Sequence, residues 1–211
     1  MRKKITHYAR CLILALCVPA SPVSAENGDG VRRDPAVVEL LDRQALQQLV
    51  LRYARAVDRK DFDRLCGLYH PDAHHDHGGM FAGSPAEMVR WLRETMVDIE
   101  TQHLIANSLF SIQGTQAQGE IYSVNFHYFP KSGRNYIAGG RYLDRYEKRD
   151  GIWRFTSRRR VIDWSEERPA SSAQTAATLI RGAPYPNDLS YEFQLDAAEG
   201  DDTNCTAKNR H

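Results

Sequence analysis

The chain has 211 residues, 26% of them charged, with 28 Lys and Arg against 27 Asp and Glu. This near-neutral balance gives no electrostatic reason to expect nucleic acid or an anionic membrane surface as a partner. The length is sufficient for one domain with a substantial hydrophobic core.

Residues 1–25 have the pattern of a secretory signal peptide. Basic residues at 2–4 precede an apolar run at 11–20 that is too short to span a bilayer, and Val23-Ser24-Ala25 supplies small residues for cleavage. We expect cleavage rather than an uncleaved anchor, with export to the periplasm or outside the cell and no membrane partner afterwards. Cleavage would leave 24 basic against 27 acidic residues, a net charge of −3. Residues 26–36 are polar and are typical of a linker.

Two cysteines, Cys66 and Cys205, remain after the predicted cleavage. An export compartment permits a disulfide. Cys205 lies in a polar tail, however, and Cys66 lies in a predicted helix, and two cysteines do not define a disulfide framework. The sequence therefore leaves their pairing open.

Helical periodicity predicts three helices in the first half of the domain. Residues 37–57 present one broad apolar face, and Asp34-Pro35 supplies an N-cap followed by proline at the first helical position. Residues 61–69 form a second, short helix that Pro71 should end. The third helix, at 84–97, opens with a Ser-Pro-Ala-Glu capping box.

Strand candidates rich in Tyr, Phe, Ile and Val follow the helices. They are residues 103–112, 120–130, 135–148 and 152–164. Turn signals at 131–133 and 149–151 predict antiparallel hairpins, and a short strand is expected at 73–77. Gly139-Gly140, inside a strand pattern, indicates a bulge or bend of the sheet.

Helices followed by an antiparallel sheet are typical of an α+β fold. The domain is expected to span residues 37–165. The C-terminal extension, 166–211, has few large apolar residues and is expected to be largely disordered. Within it, residues 185–195 could pack on the domain or on a neighbouring subunit.

Three residues form a first candidate site. Tyr53 lies on the apolar face of the first helix, Asp58 follows at its C-terminal end, and His103 opens the first long strand. A carboxylate at a helix C-terminus opposes the helix dipole, and such conflicts are sometimes kept for function. A lone Asp at a helix end is usually a solvated cap, however. The residues alone therefore do not decide whether this site is catalytic.

A histidine cluster, with His70, His74, His75, Asp76 and His77, forms a second candidate. In a strand, His75 and His77 share one face while His74 and Asp76 share the other. Such clusters can bind zinc. The spacing matches no specific metal motif, so a polar strand edge is favoured and no metal is predicted.

A basic run, Arg158-Arg159-Arg160, lies in the last predicted strand. Basic runs usually form a solvated face. Strict alternation places Arg159 on the face of Trp153 and Phe155, and places Arg158 with Arg160 on the opposite face.

Several short motifs occur in a fixed order along residues 41–164. They are Leu49-x-x-x-Tyr53-x-x-x-x-Asp58, Phe62-x-x-Leu65, Leu68-Tyr69-x-Pro71-Asp72-Ala73, Thr101-x-His103-x-x-x-Asn107 and Gly139-Gly140-x-Tyr142-x-x-x-Tyr146-Glu147-x-x-Asp150-Gly151-x-Trp153-x-Phe155. No single motif is specific, but their order and spacing together are. By them the stretch resembles the SnoaL-like family of the NTF2-like superfamily. The resemblance implies a cone of three N-terminal helices packed on a curled antiparallel sheet.

Within this family the chain is most similar to hexachlorocyclohexane dehydrochlorinase, bile-acid 7α-dehydratase and, more distantly, scytalone dehydratase. These enzymes are lyases that need no cofactor and use a His–Asp dyad in a deep pocket. The resemblance implies that His103 is the base and Asp58 its partner. It further implies Tyr53 as a hydrogen-bond donor and Arg158, rather than Arg159, as the pocket arginine. A bulge would reconcile Arg158 with the alternation pattern.

The resemblance also suggests substrate-binding residues, namely Tyr69, Trp91, Asn125 and Tyr142. Asn125 lies near the position where the bile-acid enzyme has an acidic residue, and Tyr53 lies where the dehydrochlorinase has a lysine. These two departures leave the identity of the substrate undetermined. A small, apolar, alicyclic, steroid-like or polyketide-like substrate and a homo-oligomer (trimer or dimer) are expected. The alternatives are an isomerase of the ketosteroid type and a non-catalytic ligand-binding or assembly module, because one fold hosts many functions.

Overall fold

The computed structural model describes residues 34–170, 179–193 and 195. The helices are α1 (Pro35–Asp58), α2 (Phe62–Gly67) and α3 (Pro85–Thr95). The strands are β1 (Tyr69–Asp76), β2 (Ala82–Gly83), β3 (Glu100–Gln113), β4 (Gln116–Phe129), β5 (Arg134–Arg149) and β6 (Ile152–Pro169), with short 3-10 helices at Gly78–Met80 and Leu189–Glu192. The predicted signal peptide and the tail from Asp196 lie outside the described residues. In the described part, no helix combines the length and apolar character needed to cross a membrane.

Local capping signals explain where two helices begin. The Asp34 side chain accepts a hydrogen bond from the Ala36 backbone N at 2.9 Å, and Pro35 occupies the first helical position, as predicted. Ser84 and Glu87 form the predicted reciprocal capping box at the start of α3. These contacts involve near neighbours in the sequence, so the sequence alone could predict them.

The second helix is shorter than predicted, because it ends at Gly67. The prediction that Pro71 ends this helix is wrong, because Pro71 lies within β1. The parallel register between β1 and β6 is irregular from Tyr69 to His74, which includes Pro71. Proline is tolerated where a strand ladder is interrupted, because it has no N–H to donate.

The six strands form one mixed sheet in the order β2-β1-β6-β5-β4-β3. Strands β3 to β6 pair as the predicted antiparallel hairpins, and β1 joins β6 in parallel. The helices pack on the sheet through a continuous apolar core that includes Leu46, Val50, Leu65, Met88 and Phe155. The fold is therefore α+β, as predicted.

A bulge in β6 decides which arginine points inward. Tyr146 pairs with Phe155 whereas Arg145 pairs with Ser157, so Thr156 is an extra residue in the ladder. The alternation of side chains is shifted at this point. Arg158 is consequently buried on the face of Phe155, and the expectation from strict alternation that Arg159 occupies this face is wrong.

A second bulge lies at the predicted glycine pair. Gly139 pairs with Trp164 and Gly140 with Ile162, which leaves one residue of β6 extra. A Cβ atom on Gly140 would lie 2.1 Å from the Val161 carbonyl oxygen, and one on Gly139 would lie 2.2 Å from the Trp164 ring. Close backbone packing therefore requires glycine at 140, whereas at 139 a larger residue would displace the exposed Trp164 ring. The register confirms the prediction of a bulge.

The described part of the C-terminal extension contacts the helices. Strand β6 runs to Pro169, beyond the expected domain boundary at residue 165. The Tyr191 hydroxyl donates to the Asp61 carboxylate at 3.0 Å, and the Tyr185 backbone N donates to the Arg59 carbonyl at 2.6 Å. Residues 179–193 thus lie against the ends of α1 and α2, in line with the expectation that part of 185–195 packs on the domain. The rest of the expected extension lies largely outside the described residues, so its disorder stays a prediction.

Cys66, in α2, takes part in a disulfide. Every other cysteine of the chain lies outside the described residues.

Candidate active site

A cavity of about 660 Å³ lies between the helices and the sheet. Most of its lining surface is apolar, and polar side chains converge on it from several elements. The apolar lining includes Val57, Met80, Trp91, Leu92, Met96, Ile99, Phe129 and Ile162; the polar lining includes Tyr53, His75, His77, His103, Asn125, His127, Tyr136 and Arg160.

The His103–Asp58 dyad lies at the wall of this cavity. Asp58 is the last residue of α1 and His103 is in β3, so the packing of α1 on β3 brings together residues that are far apart in sequence. The His103 Nδ1 atom lies 2.6 Å from Asp58 Oδ1, and the side chains are only 7% and 9% exposed. The two residues are therefore within hydrogen-bond distance, as the resemblance implied.

Two further hydrogen bonds hold the Asp58 carboxylate. The His103 backbone N donates to Oδ2 at 2.9 Å, and the Thr101 hydroxyl donates to Oδ1 at 2.8 Å. Burial opposes ionisation, but hydrogen bonds from His103 and Thr101 outweigh it and lower the pKa of Asp58 below its ordinary value. Asp58 is thus an ionised acceptor that fixes the His103 ring.

The free ring nitrogen of His103 is available to a ligand. Because Nδ1 is directed to Asp58, the proton belongs on Nδ1 and the lone pair on Nε2. Nε2 has no hydrogen-bond partner among the described residues, and His103 lines the cavity whereas Asp58 does not. The geometry therefore suits a base that accepts a proton from a bound molecule.

Tyr53 lines the cavity, as expected from the sequence. Burial raises the pKa of its phenol well above the ordinary value, so the hydroxyl keeps its proton at physiological pH. Tyr53 can therefore donate a hydrogen bond to a ligand.

Arg158 does not line the cavity, contrary to its expected place there. Its side chain is fully buried, and Nε and Nη2 donate to the two Asp144 carboxylate oxygens at 2.8 and 2.6 Å. The guanidinium carbon lies 4.0 Å from the centre of the Tyr53 ring and 4.3 Å from that of Tyr142. Arg158 thus contacts the tyrosine that forms the wall, and is separate from the cavity itself.

Arg160 lines the cavity instead. Its Nη1 donates to the Ser123 hydroxyl at 3.1 Å, and its guanidinium carbon lies 4.9 Å from the Tyr142 ring centre. Alternation along the strand could have predicted this position, because it places Arg160 on the same face as Arg158. The resemblance selected Arg158, and Arg160 was missed.

The expected substrate-binding residues divide into two groups. Trp91 and Asn125 line the cavity, whereas Tyr69 and Tyr142 lie behind the lining. The Tyr142 hydroxyl accepts a hydrogen bond from Asn125 Nδ2 at 3.1 Å, so Tyr142 supports a lining residue. His127 and Tyr136 also line the cavity, and no sequence signal had selected them.

The histidine cluster places two of its members in the cavity. His75 and His77 line it while His74 is exposed, which confirms the prediction from alternation. His75 Nε2 lies 2.6 Å from His77 Nδ1. Among the described residues, no group of three His, Cys, Asp or Glu side chains is arranged to hold a metal ion.

A family model matches the sequence from α1 into β6. A model of the SnoaL-like domain matches residues 38–159. The chain belongs to the SnoaL-like family. An uncharacterized protein of Mycobacterium tuberculosis is 27% identical over 113 residues, which cover 52% of this SnoaL-like chain and 76% of that protein.

Solved structures share the fold at low sequence identity. A putative scytalone dehydratase from Novosphingobium aromaticivorans has a TM-score of 0.59 and 18% identity, covering 66% of this chain and 99% of its own. A hexachlorocyclohexane dehydrochlorinase from Novosphingobium barchaimii has a TM-score of 0.60 and 17% identity, covering 66% and 97%. This SnoaL-like protein therefore shares its NTF2-like fold with a putative dehydratase and a dehydrochlorinase.

Two cavity histidines are held neutral by their surroundings. Burial, with coulombic effects of Arg160, His103 and Arg158, lowers the pKa of His77 to about 4 against a smaller opposing effect of Asp76. Burial and His103 likewise lower the pKa of His127 to about 4.

We expect this SnoaL-like fold to lose stability as the pH falls from 6.5 to 4. In the unfolded chain histidine binds a proton below its ordinary pKa of 6.5, whereas folded His77 binds one only near pH 4, so the unfolded state binds more protons in this window. The expected loss at pH 5 is about 2 kcal/mol for His77 alone. Urea unfolding over a pH series measures this loss. His77→Gln should reduce the pH dependence and leave the contribution of His127, whereas a change at exposed His74 should leave the profile unchanged. A flat wild-type profile would contradict the prediction.

Proposed function

We propose that this protein is a lyase of the dehydratase or dehydrohalogenase type that uses His103 as its base and needs no cofactor. The observation that carries the proposal is the position of one imidazole, bonded through Nδ1 to a buried carboxylate and open through Nε2 to a largely apolar cavity. The fold shared with a putative scytalone dehydratase and a dehydrochlorinase supports the same class of reaction.

In the proposed reaction, His103 Nε2 removes an acidic C–H proton from the substrate. The electron pair of the broken C–H bond forms the C=C bond, and the C–O or C–halogen bond breaks with its pair on the leaving group. Asp58 stabilises the imidazolium that forms. A leaving hydroxide then takes the proton from His103 and departs as water, whereas a halide departs as the anion and the His103 proton passes to solvent.

The proposed mechanism requires a substrate that already carries an activating group. Acid–base catalysis contributes ~10²–10⁴-fold, which suits a proton next to a carbonyl or conjugated system. Arg160 and Tyr53 are the groups that would stabilise a developing oxyanion there. The volume of about 660 Å³ and the apolar lining favour an alicyclic, steroid-like or polyketide-like substrate.

A substrate panel tests the proposed activity. Purified protein is incubated with β-hydroxy ketones, hydroxysteroids and chlorinated alicyclic compounds, and the products are analysed by mass spectrometry. We expect loss of water or hydrogen chloride from at least one class. A product of unchanged mass would indicate an isomerase that uses the same dyad, and binding without turnover across the panel would indicate a ligand-binding module.

A further inference from the structure

A buried row of hydrogen-bonded side chains runs behind and into the cavity. The Tyr69 hydroxyl lies 2.9 Å from His75 Nδ1, and His75 Nε2 lies 2.6 Å from His77 Nδ1. Tyr69 is 3% exposed and His75 is fully buried, whereas His77 lines the cavity beside Trp91. The row therefore ends at His77, whose ring lines the cavity and whose Nε2 has no hydrogen-bond partner among the described residues.

Burial fixes the direction of the hydrogen bonds in this row. The Tyr69 hydroxyl has no other hydrogen-bond partner among the described residues, so its proton is satisfied only by donation to His75 Nδ1. His75 must then carry its proton on Nε2 and donate it to His77 Nδ1. His77 in turn carries its proton on Nε2. The opposite direction would leave a buried hydroxyl proton without an acceptor, which costs about 1–3 kcal/mol.

The backbone around His77 holds its ring in place. The His77 backbone N donates to the Phe81 carbonyl at 2.7 Å, which closes the turn between β1 and β2. The ring lies edge to edge with that of His75, nearly coplanar at a centroid distance of 4.7 Å, and lies 5.7 Å from the Trp91 ring. A donor held this firmly needs little reorganisation when a ligand binds.

We propose that His77 Nε2–H donates a hydrogen bond to the leaving group during elimination, and that His75 and Tyr69 are positioning residues that impose this tautomer. The proposal rests on the proposed lyase function and adds a second contact to the reacting atoms. It also assigns a role to the histidine pair, which the His103–Asp58 dyad does not use.

His77 acts in this scheme without giving up a proton. Passing a proton along the row would leave a Tyr69 phenolate, and burial raises the pKa of that phenol well above its ordinary value. The leaving hydroxide therefore receives its proton from His103, as in the scheme above. The hydrogen bond from His77 lowers the charge that builds up on the leaving atom as the carbon bond breaks.

Nitrogen-15 NMR of the wild-type protein tests the direction of the row without a substrate. Long-range correlation spectra identify which ring nitrogen of each histidine carries the proton. We expect the Nε2–H tautomer at both His75 and His77 at pH 7, and Tyr69→Phe should mix the tautomers of His75. An Nδ1–H tautomer at either histidine overturns the proposal.

Kinetics then separate the leaving-group role from the base. His77→Ala should lower elimination about 10²-fold, as for loss of one oriented donor. It should leave unchanged the rate at which a ketone without a leaving group exchanges its α-proton in D₂O. His77→Gln, which keeps an N–H donor, should restore part of the loss, and His74→Ala on the exposed face of the strand is the matched control.

Two outcomes distinguish failure of this inference from failure of the proposed function. Equal loss of exchange and elimination in His77→Ala, or no loss of either, overturns the role of His77 and leaves the lyase intact. A wild-type protein that neither exchanges nor eliminates across the panel overturns the lyase, and the role of His77 with it.

Discussion

Replacing His103 with alanine is expected to lower kcat for elimination by ~10²–10⁴-fold, because the only proposed proton acceptor is lost. The KM should change less, since the ring contributes a small part of a largely apolar lining. Steady-state kinetics on the substrate found in the panel measure both constants. Full activity in His103→Ala would contradict the proposed base.

A graded series at Asp58 refines this test. Asp58→Asn removes the charge that stabilises the imidazolium. It also replaces one carboxylate oxygen, an acceptor for the hydrogen bonds of His103, with an amide N–H donor. A loss of comparable size is therefore expected. Thr101→Val removes one of the three hydrogen bonds to the same carboxylate, at about 1 kcal/mol or roughly a fivefold loss. Equal losses in the two variants would indicate that the carboxylate acts through local structure alone.

The sequence predicted the features that depend on near neighbours. The caps at Asp34 and Ser84, the hairpins and the bulge at Gly139-Gly140 are encoded within a few residues, so patterns reveal them. The His103–Asp58 contact spans 45 residues and came from the family resemblance. The residues alone could not distinguish a catalytic Asp58 from a solvated helix cap.

What the sequence could not predict depends on single-residue shifts in register and on distant pairing. The extra residue Thr156 changes which side of β6 faces inward, and no residue type at that position signals it. The parallel pairing of β1 with β6 joins Asp76 to Arg159, residues that lie far apart in the chain. Export and assembly into a homo-oligomer stay predictions.

Arg158 is expected to stabilise the fold, so its replacement should lower the free energy of unfolding. Its guanidinium is fully buried, donates two hydrogen bonds to Asp144 and lies 4.2 Å from the Phe155 ring centre. Arg158→Met would leave the Asp144 carboxylate buried, with the Tyr146 hydroxyl as its only remaining side-chain donor in the described part of the chain. We expect the free energy of unfolding to fall by about 3–5 kcal/mol, measured by urea denaturation.

A second replacement separates this structural role from a catalytic one. Changing Asp144 to Leu together with Arg158→Met removes the unpaired charge, and should recover much of the lost stability, since a buried ion pair is often replaceable by apolar groups. Arg160→Met, on the cavity wall, should instead lower kcat/KM with a smaller effect on unfolding. If Arg158→Met keeps its stability but loses turnover, Arg158 acts on the substrate, as the resemblance implied. In that case the Tyr53 ring would have to move, because it lines the cavity and packs 4.0 Å from this guanidinium.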